Sequence, residues 1–402
     1  MDIGIDLRVL AGGSYGGIAQ YLLCLLPELF CAADRSAYGG KIKFKLFFNA
    51  YQKKLFDYPW LENENVQLIH LNYPNRLLFA SSKLFEYPKL DNLIRGADVF
   101  FSPHFLAAPL SPQCRSVVTI HDLSFIRYPE FFSLRKNIWH RLEMNPKKQA
   151  LRADKVIAVS ESTKNDLVNL FGIDPEKIQV IYSGSKSEIH PLENSRAGSR
   201  GSRVGGISDL LRVKKKYNLP ENFFLFLGTL EPRKNIPGIL RAFAYLKSNR
   251  QIPDHTHLVI AGSQGWLYAD ILKIYRDSPY QKFIHFLGPI EEKEKPFLYL
   301  LSRVFVYPSF FEGFGFPSLE AMSAGVPVVT SKVSSLPEVV GDAGIMVDPY
   351  NIKEIAEAMK NLFLSEKLRH FYIEKGRKRA QEFSWRKSAE QTLQALVSVV
   401  DY

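Results

Sequence analysis

Short apolar runs alternate with longer amphipathic stretches along the whole chain. In the first half these runs are Ile3–Leu7, Lys43–Phe48, Val66–Leu71, Val99–Ser102, Ser116–His121, Lys155–Val159 and Ile178–Tyr182. In the second half they are Phe223–Leu227, Leu258–Ala261, Phe283–Leu287, Val304–Tyr307, Val328–Thr330 and Ile345–Val347. Each is rich in β-branched or aromatic residues, and most are separated from the next by a helix-length segment. This pattern predicts α/β architecture with two parallel, doubly wound sheets.

The alternation is interrupted between residues 183 and 206, where serine, glycine and arginine dominate and the apolar residues lose their period. We therefore predict a domain boundary near Gly184. The parts are a first domain over residues 1–184, a linker or insertion over 185–212, and a second domain over 213–384. Beyond these, residues 385–402 carry apolar positions at helical spacing and predict a final helix.

Ligands of doubly wound sheets bind beyond the carboxyl ends of the strands, so the loops after the predicted strands carry the candidate chemistry. The most informative is residues 311–325, FEGFGFPSLEAMSAG. Pro317 suits a first helical turn and Gly325 a left-handed helix end. The turn before this helix can bring backbone N–H groups to a phosphate, and it consists of Gly313, Phe314, Gly315 and Phe316.

Glu312 and Glu320 flank that turn, and their carboxylates can accept hydrogen bonds from hydroxyl groups on two parts of one ligand. The alternative interpretation is that Glu312 is a solvated loop residue and that Glu320 only favours the helix N-terminus.

Three further strand-end loops hold candidate residues. Gly16 and Gly17 end a glycine-rich loop that allows close backbone approach to a phosphate or an acceptor, or that is only a flexible turn. His121 can bond a sugar hydroxyl or move a proton, although a lone histidine often satisfies a neighbouring backbone group. Arg233 and Lys234 are adjacent cations within reach of a diphosphate, or two solvated surface charges.

The Glu312–Glu320 spacing, with the segment 321–329 that follows, resembles the signature of the retaining family 4 (group 1) glycosyltransferases. The segment 231–235, EPRKN, also resembles that family. The resemblance implies the GT-B fold, with two Rossmann-like domains facing across a cleft and the helix 385–402 completing the first domain. One departure concerns the diphosphate: many members place an arginine where this chain has Thr229.

Roles for the candidate residues also follow from the resemblance. Glu312 and His121 would contact the donor sugar, Glu320 the ribose, and Arg233 with Lys234 the diphosphate. Gly16, Gly17 and the residues 313–316 would lie at the donor. The segments 121–125 and 128–130 resemble those of mannosyltransferases that build surface polysaccharides.

We therefore expect transfer of a hexose, with mannose favoured, from a nucleotide-diphosphate sugar to a saccharide or lipid-linked saccharide acceptor. The expected donor is GDP-mannose rather than a UDP-sugar, with no further cofactor and no metal, since the chain lacks a suitable Asp-x-Asp pair. Two alternatives remain open at this point: a GT-B-fold sugar-nucleotide epimerase and a catalytically silent GT-B subunit.

Composition adds constraints on partners. The 402 residues carry a formal charge of +11, which favours an anionic partner. We find no motif typical of nucleic-acid binding. The mixed basic and aromatic segment 131–152 could lie on an anionic membrane surface or form an ordinary amphipathic helix that Pro146 kinks or ends. Three cysteines without pairing pattern and an acidic N-terminus favour a cytoplasmic protein, with possible peripheral contact to the inner membrane face.

Overall fold

The computed structural model describes residues 1–12, 16–38, 40–50, 58–185 and 206–400. Its chain divides into two compact units. The first consists of Met1–Arg127, Leu134–Gly184 and the C-terminal segment from Ser384, and the second of Tyr128–Ser133 and Ser185–Phe383.

The first unit is a parallel sheet with helices around it. Its strands are β1 (Asp2–Asp6), β2 (Lys43–Asn49), β3 (Val66–Leu71), β4 (Val99–Ser102), β5 (Arg115–Ile120), β6 (Lys155–Ala158) and β7 (Ile178–Val180). Its helices are α1 (Gly17–Arg35), α2 (Asn75–Leu84), α3 (Leu90–Leu93), α4 (Ser124–Arg127), α5 (Leu134–Ile138), α6 (Pro146–Arg152) and α7 (Glu161–Asp166). The sheet order is β3-β2-β1-β4-β5-β6-β7, with every pair parallel.

The second unit repeats this arrangement. Its strands are β8 (Phe223–Leu227), β9 (His257–Ala261), β10 (Ile284–Gly288), β11 (Val304–Tyr307), β12 (Val328–Ser331) and β13 (Ile345–Val347). Its helices are α8 (Ile207–Lys216), α9 (Ile236–Ser248), α10 (Ala269–Arg276), α11 (Lys295–Leu301), α12 (Phe316–Ser323), α13 (Leu336–Val340), α14 (Ile352–Leu364) and α15 (Glu366–Ala380). The order is β10-β9-β8-β11-β12-β13, again parallel.

The two parallel α/β sheets confirm the predicted fold class, and each predicted strand is found within the described residues. Central strands such as β8 and β11 are buried on both faces, with no side chain more than 4% exposed. Strands buried on both faces read as continuous apolar runs, which is why the sequence pattern located them closely.

The range predicted as a linker, 185–212, needs a correction at its C-terminal end. Helix α8 begins at Ile207 and belongs to the second unit, where the side chain of Val213 is fully buried. Because α8 contains many basic residues, its amphipathic period was not recognised in the sequence. The predicted residues 195–203 of this range lie outside the described part of the chain.

The last helix, α16 (Trp385–Val397), belongs to the first unit and packs against α1. Trp385 is 8% exposed and its ring lies edge-on to that of Tyr21, with 5.8 Å between centroids. Helix α1 is 19 residues long and apolar enough, by length and composition, to cross a membrane. The helix continues through Pro27, and many of its side chains lie in the core of the first unit.

Candidate functional site

The candidate site of the second unit lies where its strand order changes direction. Strand β8 pairs with β9 on one side and with β11 on the other. Connections from β8 and from β11 therefore leave towards opposite faces of the sheet, and the loops after these two strands meet at its carboxyl edge. Glu231–Asn235 and Phe310–Gly315 are these loops, so the topology brings together the sequence motifs that carry the family resemblance.

Asn235 fixes the loop after β8. It adopts a left-handed conformation with φ of 54°, which asparagine tolerates better than most residues, and its side chain caps α9 by accepting from the Gly238 N–H at 3.2 Å. Its Nδ2 donates to the backbone oxygens of Pro308 and Pro349, at 3.1 and 2.6 Å. These bonds tie the turn that carries Arg233 and Lys234 to the loop after β11.

Arg233 lies between two carboxylates. Its Nε is 2.5 Å from Glu231 Oε1, and its Nη1 donates to Glu312 Oε2 and to the backbone oxygen of Phe311, both at 3.1 Å. The guanidinium fork suits such contacts because its N–H groups point in fixed directions.

Lys234 is more deeply placed, with 6% of its surface exposed. Its Nζ donates to Glu312 Oε1 and to the Tyr307 hydroxyl, both at 2.6 Å, and lies 4.0 Å from Glu231 Oε1. Glu231 and Glu312 are themselves 2% and 5% exposed. Two cations and two carboxylates thus form a buried group, here called the charge cluster: Glu231, Arg233, Lys234 and Glu312.

Burial and the nearby groups of opposite charge shift the pKa values of Glu312 and Lys234 in opposite directions. Burial by itself raises the pKa of Glu312, but the charges of Lys234 and Arg233 outweigh it, so that the pKa lies below its ordinary value. Burial lowers the pKa of Lys234, the charge of Arg233 adds to this, and Glu312 and Glu231 oppose it. Glu312 therefore stays ionised at neutral pH, since its cationic partners compensate its desolvation.

The backbone of Glu312 is fixed by two serines. Ser334 Oγ both accepts from the Glu312 N–H and lies 2.8 Å from the Glu312 carbonyl oxygen. Ser335 Oγ lies 2.9 and 3.0 Å from the carbonyl oxygens of Glu312 and Phe314. The solvated-loop interpretation of Glu312 is therefore wrong.

Gly315 shapes the turn into α12. Its φ of 104° is a conformation that other residues rarely adopt, and a Cβ there would lie 2.8 Å from Leu336 Cδ2. The helix ends as predicted: Gly325 has φ of 73°, and the N–H groups of Gly325 and Val326 bond back to Met322 and Ala321. The N-terminal end of α12, which favours anions, thus begins directly after the Gly313–Gly315 turn.

Glu320 lies one turn inside α12 rather than at its first residues, and it is 9% exposed. Its Oε2 accepts a hydrogen bond from the Tyr299 hydroxyl at 2.9 Å. A favourable interaction with the helix dipole at the first residues does not explain why a carboxylate is buried in this position. The interpretation that Glu320 only favours the helix N-terminus is therefore not supported.

The sequence pattern did not identify several residues that shape this site. Glu231 was seen only as part of a motif, and Tyr307, Tyr299, Ser334 and Ser335 looked like ordinary strand, helix and turn residues. Glu231 contacts Arg233 and Lys234, its near neighbours in sequence. The tyrosines and serines contribute through contacts between more distant segments, such as Tyr307 with Lys234. Only the position of Tyr307 at the end of a buried strand was a signal for it.

In the first unit, His121 follows β5 directly. Its Nε2 lies 2.8 Å from the Pro103 carbonyl oxygen, so Nε2 carries a proton and donates it to that oxygen. Burial lowers the pKa of His121, while the Pro103 carbonyl and Asp122 oppose this lowering. In the neutral ring Nδ1 is then the acceptor nitrogen. Nε2 thus satisfies a neighbouring backbone group, as the structural alternative predicted. Nδ1 can still accept a hydrogen bond from a hydroxyl.

Two histidines that the sequence pattern did not single out lie near His121. The His104 ring centroid is 6.0 Å from that of His121, and burial together with the two neighbouring imidazoles places the pKa of His104 well below its ordinary value. His140 stacks on Phe125 with centroids 4.6 Å apart, and burial lowers its pKa to about 4. These three rings are here called the imidazole group: His104, His121 and His140.

The glycine loop of the first unit is only partly described, because residues 13–15 lie outside the described residues. Gly16 precedes α1 with φ of −81°, and a Cβ on it would meet nothing within 4 Å. Gly17 is the first residue of α1. At Gly16 the backbone itself therefore does not require glycine.

The basic segment 131–152 is not one helix. It contains α5, a π-helical turn over Trp139–Met144, a left-handed Asn145 and then α6, which begins at Pro146. Lys148 and Arg152 pair with Glu86. The predicted break at Pro146 is confirmed, since the proline can only start the next helix.

The start of that segment lies in the second unit. Tyr128–Ser133 belongs to it, and Trp266 Nε1 donates to the Phe131 carbonyl oxygen at 2.6 Å. The Phe131 ring stacks on Phe310, with centroids 5.3 Å apart, directly before the loop of Glu312. The prediction that Phe131 and Phe132 share a helix with the basic residues is therefore wrong.

The chain matches two families of known proteins. Residues 41–186 match "Glycosyltransferase Family 4" and residues 208–379 match "Glycosyl transferases group 1". O-antigen chain mannosyltransferase B of Escherichia coli is 31% identical over 331 residues, which cover 82% of this chain and 79% of that protein.

Solved structures share the fold. Sucrose-phosphate synthase of Thermosynechococcus elongatus superposes with a TM-score of 0.73 at 19% identity and covers 99% of both chains. HepE of Anabaena, solved with UDP and glucose, gives 0.68 at 20% identity, also over 99% of both chains. With its two matched regions, its relative and its two parallel-sheet units, this protein belongs to glycosyltransferase family 4 (group 1) and has the GT-B fold.

Proposed function

We propose that this enzyme is a retaining mannosyltransferase of surface-polysaccharide synthesis. It would move mannose from GDP-mannose, in preference to UDP-sugars, to a saccharide or lipid-linked saccharide acceptor. The observation that carries the proposal is the charge cluster beside the N-terminal end of α12. The mannose assignment draws on the 31% identical relative, an O-antigen chain mannosyltransferase.

The charge cluster suits a diphosphate leaving group. When the bond from the sugar C1 to the diphosphate breaks, negative charge grows on the departing oxygen. Arg233 and Lys234 are held in place before this happens, and preorganised positive charge in a buried site is commonly the largest contribution to catalysis. The end of α12 and the Gly313–Phe316 turn add backbone dipoles of the same sign. These groups can carry the charge without a metal, so we propose a metal-independent reaction.

The remaining residues bind and orient the substrate. Glu312, ionised and fixed by Ser334 and Ser335, would accept from hydroxyls of the donor sugar. Glu320 would accept from the ribose. The acceptor oxygen bonds to C1 on the face that the diphosphate leaves, and its proton passes to a diphosphate oxygen. This retains the anomeric configuration and needs no protein nucleophile.

The first unit supplies two further contacts in this proposal. His121 would accept from a donor-sugar hydroxyl through Nδ1, because its Nε2 is committed to Pro103. Gly16 and Gly17, at the start of α1, would lie at the donor. Both roles come from the family resemblance and await a direct test.

Binding of a donor panel tests the donor assignment. We expect GDP-mannose to raise the melting temperature more than UDP-glucose, UDP-galactose or UDP-N-acetylglucosamine. A ligand at 100 times its Kd stabilises the folded protein by about 2.7 kcal/mol. Glu320→Gln should reduce the shift, and the exposed Glu374→Gln in the same unit is the matched control. If only UDP-sugars raise the melting temperature, the donor is a UDP-sugar rather than GDP-mannose. If no donor raises it, the proposal is contradicted.

Turnover tests the reaction. With a mannose-terminated oligosaccharide acceptor, NMR of the product should show the anomeric configuration of the donor, and EDTA should leave the rate unchanged. An inverted product contradicts retention. Loss of activity with EDTA and recovery with Mg²⁺ or Mn²⁺ contradicts metal independence. Conversion of the donor sugar without acceptor would indicate the epimerase alternative, and donor binding without turnover the silent subunit.

We also propose a cytoplasmic enzyme that contacts the inner membrane face through residues 134–152. Leu134 is 76% exposed, Ile138 and Trp139 are 45% and 36% exposed, and Arg135 and Lys136 lie between Leu134 and Ile138 in the sequence. Exposed apolar and basic side chains together fit an anionic bilayer. Cosedimentation with vesicles containing anionic phosphatidylglycerol, but not with neutral vesicles, is expected. Leu134→Glu should abolish it, and equal sedimentation of this variant would contradict the assignment.

A further inference from the structure

A buried tyrosine–carboxylate contact joins α11 to α12 in the second unit. The Tyr299 hydroxyl donates to Glu320 Oε2 at 2.9 Å, and the two residues are 1% and 9% exposed. A carboxylate this deeply buried requires hydrogen-bond donors, since its desolvation is otherwise uncompensated. The Tyr299 hydroxyl is one such donor, and it comes from α11, a helix that carries none of the sequence motifs.

The position of the Tyr299 hydroxyl is well defined. Its ring lies edge-on to Phe305 of β11, with centroids 5.3 Å apart, and the backbone oxygen of Tyr299 accepts from Ser302 at the end of α11. A tyrosine side chain has two rotatable bonds and a glutamate has three, so the more rigid partner fixes the more flexible one. Burial, together with the charge of Glu320, raises the pKa of Tyr299 far above its ordinary value, so its hydroxyl stays protonated.

We propose that Tyr299 is a positioning residue that holds the Glu320 carboxylate for the 2′- and 3′-hydroxyls of the donor ribose, and thereby makes the site selective for ribonucleotides. This inference rests on the proposed function, in which Glu320 contacts the ribose. A carboxylate accepts at about four lone-pair positions, so the bond from Tyr299 leaves capacity for hydroxyl donors. A fixed carboxylate loses less conformational freedom on binding than a mobile one.

The experiment compares GDP with 2′,3′-dideoxy-GDP by isothermal titration calorimetry. UDP and its dideoxy analogue are run in parallel, so that the base preference does not affect the result. The wild type should bind the ribonucleotide at least about tenfold more tightly, because the dideoxy ligand leaves Glu320 without its hydroxyl partners. Tyr299→Phe should weaken ribonucleotide binding about tenfold and leave dideoxynucleotide binding within about twofold.

The matched control is Tyr217→Phe. The Tyr217 hydroxyl donates to Glu294 Oε2 at 2.6 Å, and the fully buried Glu294 lies directly before α11. This variant removes the same kind of bond near the same helix, and we expect an unchanged ribo-to-dideoxy ratio. A fall in that ratio with Tyr217→Phe would show that any loosening of α11 has the same effect, and would overturn the proposal.

A double-mutant cycle provides a second measurement. In Glu320→Ala the ribo-to-dideoxy ratio should fall to about one, and adding Tyr299→Phe should change it no further. If Tyr299→Phe weakens both nucleotides equally, its role is structural and the proposal is wrong. Failure of the proposed function gives a different result. If the wild type binds neither GDP nor UDP, both the proposed function and the role of Tyr299 are contradicted. A wild type that binds ribo- and dideoxynucleotides equally contradicts only the role of Glu320 and Tyr299.

Discussion

The two units have sheets of closely similar order but different chemistry at their carboxyl edges. In the second unit the loops after β8 and β11 hold the charge cluster, in which Glu231, Lys234 and Glu312 are buried and the Arg233 side chain is 17% exposed. In the first unit the corresponding edge holds the imidazole group, whose members have lowered pKa values because they are buried. At neutral pH the imidazole group is thus mainly uncharged, whereas the charge cluster consists of ionisable cations and carboxylates.

This difference indicates a division of work. Under the proposed function, a departing diphosphate needs fixed positive charge, which Arg233 and Lys234 of the second unit would provide. A neutral imidazole, in contrast, accepts or donates a hydrogen bond without bringing a charge, and suits sugar hydroxyls. Buried ion pairs are often no more stabilising than apolar side chains of equal volume. The ion pairs of the second unit therefore fit the proposed ligand and are not by themselves evidence of a stabilising role.

The largest expected effect comes from breaking the charge cluster. Lys234→Met removes one cation and leaves Glu312 and Glu231 buried with reduced compensation, which should destabilise the protein by about 3–5 kcal/mol. Urea unfolding measures this, and nucleotide binding should be lost in the same variant. Lys332→Met is the control, since Lys332 is half-exposed and lies 3.7 Å from its nearest carboxylate. Equal effects of the two substitutions would contradict a special role for the cluster.

The second-largest expected effect distinguishes the contributions of the two carboxyl edges to rate and to nucleotide binding. His121→Asn removes the imidazole of the first unit, and we expect kcat to fall about 100-fold, as is typical when a positioned polar group is lost from a reacting site. Nucleotide binding, which we assign to the second unit, should stay within about twofold of the wild type. The measurement pairs steady-state kinetics with calorimetry. Loss of nucleotide affinity together with rate would show that the two edges are not separable in this way.

The sequence predicted the strands well because both faces of a central parallel strand are buried. The runs at Val99–Ser102, Phe223–Leu227 and Val304–Tyr307 coincide with such strands of the structure. Helix starts were harder. Ser160 caps α7 by accepting from the Thr163 N–H. By residue type alone the nearby Ser162 and Thr163 suit a cap as well, so the sequence does not fix where this helix starts.

Three members of the charge cluster were predictable from the sequence, but their contacts were not. Glu312, Arg233 and Lys234 stood out through motif spacing. Their pairing across almost 80 positions depends on the strand order, which places β8 beside β11. Tyr299 gave no signal at all, since a tyrosine in an apolar helix has the pattern of an ordinary core residue.

A pair of glycine substitutions compares the turns of the two units. Gly315→Ala forces a side chain into a left-handed conformation and against Leu336, so we expect a loss of about 1–3 kcal/mol and weaker nucleotide binding. Gly16→Ala meets no atom within 4 Å and has an ordinary φ, so stability should change by less than about 0.5 kcal/mol. Thermal unfolding measures both. A Gly16→Ala variant of normal stability but low activity would indicate close ligand approach at Gly16.

The smallest effect concerns the pH response of the imidazole group. The pKa of His140 is lowered to about 4 by burial, with Lys136 adding to this and Asp122 opposing it. Between pH 6.5 and 4 the unfolded chain therefore binds a proton that the folded chain does not, and stability falls as the pH decreases through this window.

One such group contributes at most about 1.4 kcal/mol per pH unit, and the partial exposure of His140 makes its share smaller. In His140→Gln the fall between pH 6.5 and 5 should consequently be shallower than in the wild type, while the two proteins keep a constant difference above pH 7. Urea unfolding at pH 7.5, 6.5, 5.5 and 5 measures the slopes, with exposed His370→Gln as the control. Parallel curves for wild type and His140→Gln would mean that His140 is protonated as readily in the folded protein as in the unfolded chain. The uncharged character of the imidazole group would then rest on His104 and His121 alone.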